Sequence, residues 1–300
     1  MSNLTKKKAR IHEGNPVATV LLYAACILLS ALCLYPMWYV LCCSLSHGNY
    51  VDAQQVWWIP RGLTIHAYKI IVLEKDMWHA YGNTIIYVVG STLLQLIFCM
   101  LAAYPLTCRN MIGRKLVTLY FMIPMYFGAG LIPTYLLYNQ YRMLDTVWVL
   151  ILPLIFSPYN MLVMKSFLQS SIPVSLEESA FLDGAGYFRI LFKIVLPLSK
   201  PIIATLLLFY SVGRWNAYGD NMYYIKLNEK LKMIQYLLYQ MVTTANEAQT
   251  IAFAEGSAQQ TNPEVVQSAA IMVTTLPILV IYPFVQKHFV KGAMIGSVKG

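Results

Sequence analysis

Long apolar stretches alternate with short polar ones along the chain, and that alternation is the first structural signal. A helix needs about 20 consecutive apolar residues to cross the hydrocarbon core of a bilayer. Six stretches meet that length: Val17 to Cys43, Tyr81 to Tyr104, Leu116 to Tyr138, Leu144 to Phe167, Leu198 to Tyr218 and Val265 to Val285. Prolines 36, 124, 133, 153, 158, 277 and 283 lie inside these stretches or near their ends. Neighbouring helices can re-satisfy the carbonyls that a proline frees, so spanning helices tolerate them. So many prolines predict bent helices around a cavity. The pattern therefore predicts an all-α integral membrane protein with six transmembrane helices. Its domains read as an N-terminal tail over 1–16, a membrane-spanning domain over 17–285 and a C-terminal tail over 286–300.

Composition agrees with the pattern. The chain has 300 residues, of which 58% are hydrophobic and 12% charged, and its mean hydropathy is +0.55. A soluble domain carries roughly 25% charged residues. A lipid-facing exterior explains the deficit. The net charge of +9 is not a nucleic-acid signature, because the basic residues sit in short stretches between apolar runs, as topology signals do. Lys6, Lys7, Lys8, Arg10, Arg109, Arg114, Lys115, Arg189 and Lys193 mark one side of the membrane. By the positive-inside rule that side is cytoplasmic, which gives N-in/C-in topology. The first apolar run is too long for a signal-peptide core of roughly 7–15 residues, so it reads as a retained anchor.

The six cysteines, Cys26, Cys33, Cys42, Cys43, Cys99 and Cys108, lie in or beside apolar runs and form no CxxC pair. They predict neither a disulfide framework nor a metal site. His12, His47, His66, His79 and His288 all avoid span centres, and HExxH is absent. No nucleophile with a paired base can be identified, so a membrane-embedded enzyme finds no support.

Two connections are long, from about Ser44 to Ala80 and from about Asn221 to Glu264. Loops beyond roughly 12–15 residues are usually functional or disordered. The aromatic Trp57-Trp58-Ile59-Pro60 and the helical spacing over Lys230 to Val242 argue for structure.

The most informative segment is the polar connection over 170–200, between the fourth and fifth runs. Pro173 followed by Ser175, with Glu178 three residues further on, predicts a helix start closed by a capping box. A short helix from Leu176 to Asp183 follows. Gly184 and Gly186 predict a turn, and a second helix starts near Tyr187 and ends at Pro197 and Pro201. The product is a helix-turn-helix on the cytoplasmic face. Alone, it could be an amphipathic element resting on the membrane surface.

Its spacing is more specific. Glu178-Ser179-Ala180, Gly184 after three further residues, then nine residues and Ile194-Val195-Leu196-Pro197 resemble the EAA loop of ABC importer permeases. Ser179 stands where that pattern has its middle alanine. The six spans, the basic N-terminus and the tail Phe289 to Gly300 are similar to carbohydrate-uptake permeases related to the smaller membrane subunit of the maltose transporter. Within that group the tail looks closest to permeases for complex or oligomeric sugars.

The resemblance implies a coupling role for Glu177, Glu178, Ser179, Ala180, Asp183, Gly184, Ala185, Leu196 and Pro197. The small residues Ser179, Ala180 and Ala185 would form a close-docking face, and Gly184 a hinge. No GxxxxGK[ST] phosphate loop occurs. No cofactor is therefore expected on this chain, and ATP and Mg would sit on partner ATPase subunits. The implied partners are an ABC ATPase dimer, a second paralogous permease, an extracytoplasmic solute-binding protein and membrane lipid, in a bacterial cell membrane.

Near the far end of the fifth run, Tyr210, Arg214, Trp215, Asn216 and Tyr218 form a candidate substrate path. Aromatic rings stack on sugars, and Asn and Arg bind hydroxyls. The competing reading is an interfacial aromatic belt with Arg214 reaching for headgroups. Two alternatives to a carbohydrate importer remain open. An ion-gradient transporter would show internal repeats and charged groups near the membrane midplane; no clear repeat occurs, and no Asp or Glu lies in a span centre. An ABC importer of a non-sugar solute would carry the same loop.

Overall fold

The computed structural model describes residues 16–255 and 262–297; the start of the N-terminal tail and the last three residues of the expected C-terminal tail lie outside them. The described residues are helical throughout, without strands. The first run forms α1 (Pro16–Ser44), and a connection holding α2 (Gly48–Asp52) and α3 (His66–Leu73) leads to α4 (Lys75–Ala103). Next come α5 (Arg114–Tyr126), α6 (Leu131–Gln140), α7 (Val147–Ile151), α8 (Pro158–Ser171) and α9 (Val174–Leu182). Then follow α10 (Tyr187–Ile190), α11 (Leu196–Leu198), α12 (Lys200–Trp215), α13 (Gly219–Tyr224), α14 (Ile234–Glu255) and α15 (Pro263–Ser297).

Three helices are long and apolar enough to cross a membrane, and up to six spans result if each bent helix pair counts as one. The breaks are α5 to α6 at 112°, α7 to α8 at 43° and α10–α11 to α12 at 79°. Prolines alone do not set them. Pro36, Pro277 and Pro283 lie inside α1 and α15, which run unbroken. The sharpest break falls on Phe127-Gly128-Ala129-Gly130. Gly130 adopts φ 82°, ψ 173°, a region that is essentially glycine-only.

α4 is the central element and packs on α12, α8 and α14, while α15 packs on α1, α12 and α14. Three apolar clusters result. One joins the end of α4 to α8, α9 and the segment after Gly186. At the opposite end, a second joins α1 to α4, α14 and α15. A third, also at that far end, gathers Tyr87, Val149, Leu150, Tyr224, Ile225 and Met233. The apolar side chains of α1 from Val20 to Leu34 are exposed, as are Leu116, Leu119, Tyr120 and Ile123 of α5. In water such faces would be costly; against lipid or a partner helix they are not.

The described parts of the long connections are structured. The helix expected over 230–242 is α14, longer than expected and starting at Ile234. Its first N–H is accepted by the buried Thr84 Oγ1 at 2.9 Å. The Trp58 carbonyl accepts Trp38 Nε1 at 2.8 Å, which folds the Trp57-Trp58 segment back on α1.

Candidate functional site

The 170–200 segment forms the helix-turn-helix, with a different start from the one expected. Pro173 occupies the N-cap position, and no side chain caps α9. Proline lacks an N–H and has fixed φ, so the helix can begin directly after it. Ser175 therefore lies within the first turn, where its carbonyl accepts Ser179 Oγ at 2.8 Å. The capping box of Ser175 and Glu178 does not form.

The helix stops through a Schellman arrangement. Gly184 N donates to Phe181 O at 3.0 Å and Ala185 N to Ala180 O at 2.9 Å. The motif needs a left-handed residue at its turn, and Gly184 supplies it with φ +76°. Gly186 does not share this role, because its φ is −80° and it serves as the N-cap of α10.

The small residues divide between two faces. Ala180 is buried in the cluster with Cys99, Met164, Leu168 and Ile190, and Ala185 packs against it. Of the expected docking face only Ser179 points outward, together with Glu178, Asp183 and Gly184. Leu182 also projects, at 89% exposed, an outward apolar side chain that the sequence reading missed. Ala180 thus fixes α9 to the spans, and the outer face carries two acids around one leucine.

Glu177 is half-buried and turned inward. It lines a cavity of about 300 Å³ with Tyr104, Arg109, Arg114, Glu178 and Tyr187. Burial pushes its carboxyl pKa up. Phe181 meets Tyr187 edge-on at 4.9 Å and ties the two helices of the motif together.

Beyond Tyr187 the helix widens into a π segment at Leu191–Val195. Pro197 follows and cannot donate the next ladder bond, a recognised cause of such local rearrangement. Ser199 then closes the end: its N–H and its Oγ both donate to Val195 O, at 2.9 and 2.7 Å. The 79° turn into α12 follows at once. Leu196 and Pro197 are exposed at this corner.

The expected substrate path is different from what the sequence suggested. Tyr210, Arg214 and Trp215 are buried among the chain's own helices. Arg214 Nη1 pairs with Asp220 Oδ2 at 2.7 Å, and Trp215 Nε1 donates to Thr274 O at 3.2 Å. These side chains pin α12 to α13 and α15. They present no free surface to a solute, and Arg214 does not reach for headgroups. Asn216 and Tyr218 are exposed, and Tyr218 stacks on Tyr239 at 5.2 Å. Among the described residues no group of histidine, cysteine or carboxylate side chains could hold a metal, and the cysteines are free.

Residues 95–295 match the family described as the binding-protein-dependent transport system inner membrane component. The chain is 37% identical over 287 residues to the polygalacturonan/rhamnogalacturonan transport system permease protein YtcP of Bacillus subtilis, covering 95% of this chain and 99% of that one. It is 28% identical over 256 residues to the melibiose/raffinose/stachyose import permease protein MelC of the same organism, covering 83% and 86%. Among solved structures it resembles a bacterial ABC transporter involved in the import of the acidic polysaccharide alginate. The TM-score is 0.81 at 29% identity, with 91% of this chain and 97% of that one covered.

Proposed function

We infer that this chain, which belongs to the family of binding-protein-dependent transport system inner membrane components, is a permease subunit of a carbohydrate ABC importer. The observation that carries the reading is α9. It stands at one end of the molecule with Glu178, Ser179, Leu182 and Asp183 outward, and Ala180 roots it in the cluster that joins the spans. A helix so placed transmits motion: whatever grips its outer face also moves α4, α8 and the corner into α12. The chain itself catalyses nothing, and ATP with its Mg is hydrolysed on separate subunits. Glu178 and Asp183 offer charge to basic residues of that ATPase, and Leu182 offers a knob for a cleft on it.

In the full proposal six spans run N-in/C-in through a bacterial inner membrane. A paralogous permease covers the exposed faces of α1 and α5, and lipid takes the rest. A solute-binding protein docks at the far end, where α2, α3, α13 and α14 cluster. The second connection, from about Asn221 to Glu264, also reaches toward that protein; its residues 256–261 lie outside the described residues. The solute is an oligosaccharide, and relatives named for polygalacturonan/rhamnogalacturonan and for the acidic alginate favour one that bears carboxylates. Gly184 is the hinge of the docking helix.

Affinity purification of the tagged chain from its native membrane tests this reading. Recovery of a second permease, an ATPase with a phosphate loop and a sugar-binding protein is the expected result. Recovery of the chain alone contradicts it.

A further inference from the structure

A second cavity lies beside the one under α9, between α5 and α8. It measures about 460 Å³ and is lined by Arg114, Lys115, Thr118, Leu119, Met122, Lys165 and Gln169. Three of these are cations and none is an acid. Lys165 is the unusual one. It sits six residues before the end of α8 at Ser171, about 9 Å into the helix at a rise of 1.5 Å per residue. From that depth a lysine can extend its ammonium along its own stem toward the interface, where oxyanions of headgroups and solutes are met.

Its surroundings leave the charge uncompensated. Lys165 Nζ donates to Thr118 Oγ1 at 3.2 Å, and that hydroxyl in turn donates to the Arg114 carbonyl at 2.8 Å. The ammonium thus has a neutral partner and two further N–H groups to offer. The ion pairs among the described residues are Arg214 with Asp220 and Lys232 with Glu229, so none of the three groove cations lies within 4 Å of a described carboxylate. Arg114 also lines the neighbouring cavity with Glu177 and Glu178, without pairing to either.

Backbone adds to the same field. Arg114 and Lys115 occupy the first turn of the thirteen-residue α5, and no side chain caps it. The N-terminal end of a helix carries partial positive charge, so cations there are unfavourable on their own. An oxyanion seated there would meet the helix end and the cations together, the combination that makes anion sites.

We propose that the groove between α5 and α8 is an oxyanion site, in which Lys165, Arg114 and Lys115 take a carboxylate or phosphate group. Gln169 adds an amide donor for the anion. Two molecules can present that chemistry here: the uronate of a transported acidic oligosaccharide, or the phosphate of an anionic phospholipid headgroup. The carboxylate source rests on the importer reading; the phosphate source does not, so the two can fail separately.

The test compares the assembled complex carrying the wild-type chain, Lys165→Gln, Arg114→Gln and Lys165→Arg. One arm exchanges the complex into nanodiscs containing phosphatidylglycerol and counts retained lipid by native mass spectrometry. The other measures cellular uptake of trigalacturonate beside a neutral trisaccharide. Each Gln variant removes one charge-assisted hydrogen bond and is expected to weaken the affected readout about tenfold, with Lys165→Arg close to wild type. Loss of lipid retention identifies the phosphate source. Loss of trigalacturonate uptake with neutral uptake intact identifies the carboxylate source. If the Gln variants assemble and change neither readout, the proposal is overturned.

Discussion

Gly184 does one thing that no other residue does cheaply. Its φ of +76° closes the Schellman turn, yet nothing lies within 4 Å of where a Cβ would stand. A side chain there meets no clash, only the left-handed backbone cost of about 1–2 kcal/mol. Gly184→Val is therefore expected to insert and assemble but to lose most ATP-coupled uptake, with Gly184→Asn milder because Asn enters that region more readily. Uptake normalised to assembled complex checks this, and equal uptake by all three chains would remove the hinge. Arg214 shows the opposite case. Its side chain is 1% exposed and that of Asp220 is 31% exposed. Removing Asp220 leaves the buried guanidinium unpaired, and because solvent already screens the pair on the Asp220 side the cost is about 3 kcal/mol or less. Asp220→Asn should lower the thermal unfolding midpoint in detergent, and an unchanged midpoint would mean the pair contributes nothing.

At the scale of elements, the connections hold the far end together. Asp145, at φ +56°, accepts the backbone N–H groups of Lys226, Leu227 and Asn228 at 2.6, 2.7 and 3.3 Å. Burial would raise its pKa, but these donors and the Lys226 charge outweigh that and hold it below the ordinary 3.8. A lowered folded value means the contribution to stability is complete above the unfolded pKa. It is lost as pH falls through the folded value. The three amides should stay protected from hydrogen exchange at neutral pH and lose protection only in acid, below the ordinary carboxylate value; Asp145→Asn should lose it at every pH. Pro197 governs the other end. Pro197→Ala restores a ladder donor to the π segment and should straighten the corner before α12. We expect hydrolysis by the assembled importer to persist while sugar uptake falls, which paired ATPase and uptake assays would show.

The same elements show what was legible in the sequence. The long apolar helices were readable because lipid imposes length and apolarity on any helix that crosses it, and the helix-turn-helix because its turn needs Gly184. The breaks were less so. Prolines are the visible helix breakers, but the sharpest bend falls at Gly128-Ala129-Gly130, where backbone freedom matters more than a missing donor. Arg214 and Trp215 were misplaced for a physical reason: a polar aromatic cluster at a helix end reads alike whether it faces a solute or its own neighbours. Only Asp220, six residues away, and Thr274, on another helix, decide it.

The whole molecule presents three distinct faces among its described residues. Its described surface is apolar along α1 and α5 and acidic with a leucine knob at α9, while the far end is a cluster of short helices. On the proposed reading each surface would meet a different neighbour: lipid or a second permease, an ATPase, a solute-binding protein. Chemical work done on the ATPase would enter through α9, pass the Ala180 cluster and the Pro197–Ser199 corner, and arrive at α12. The most direct measurement of this account is carbohydrate uptake into proteoliposomes holding the purified complex, with binding protein outside and ATP enclosed. The account predicts uptake that needs enclosed ATP, ignores an imposed ion gradient and collapses in Gly184→Val. Uptake driven by an ion gradient without ATP would contradict it.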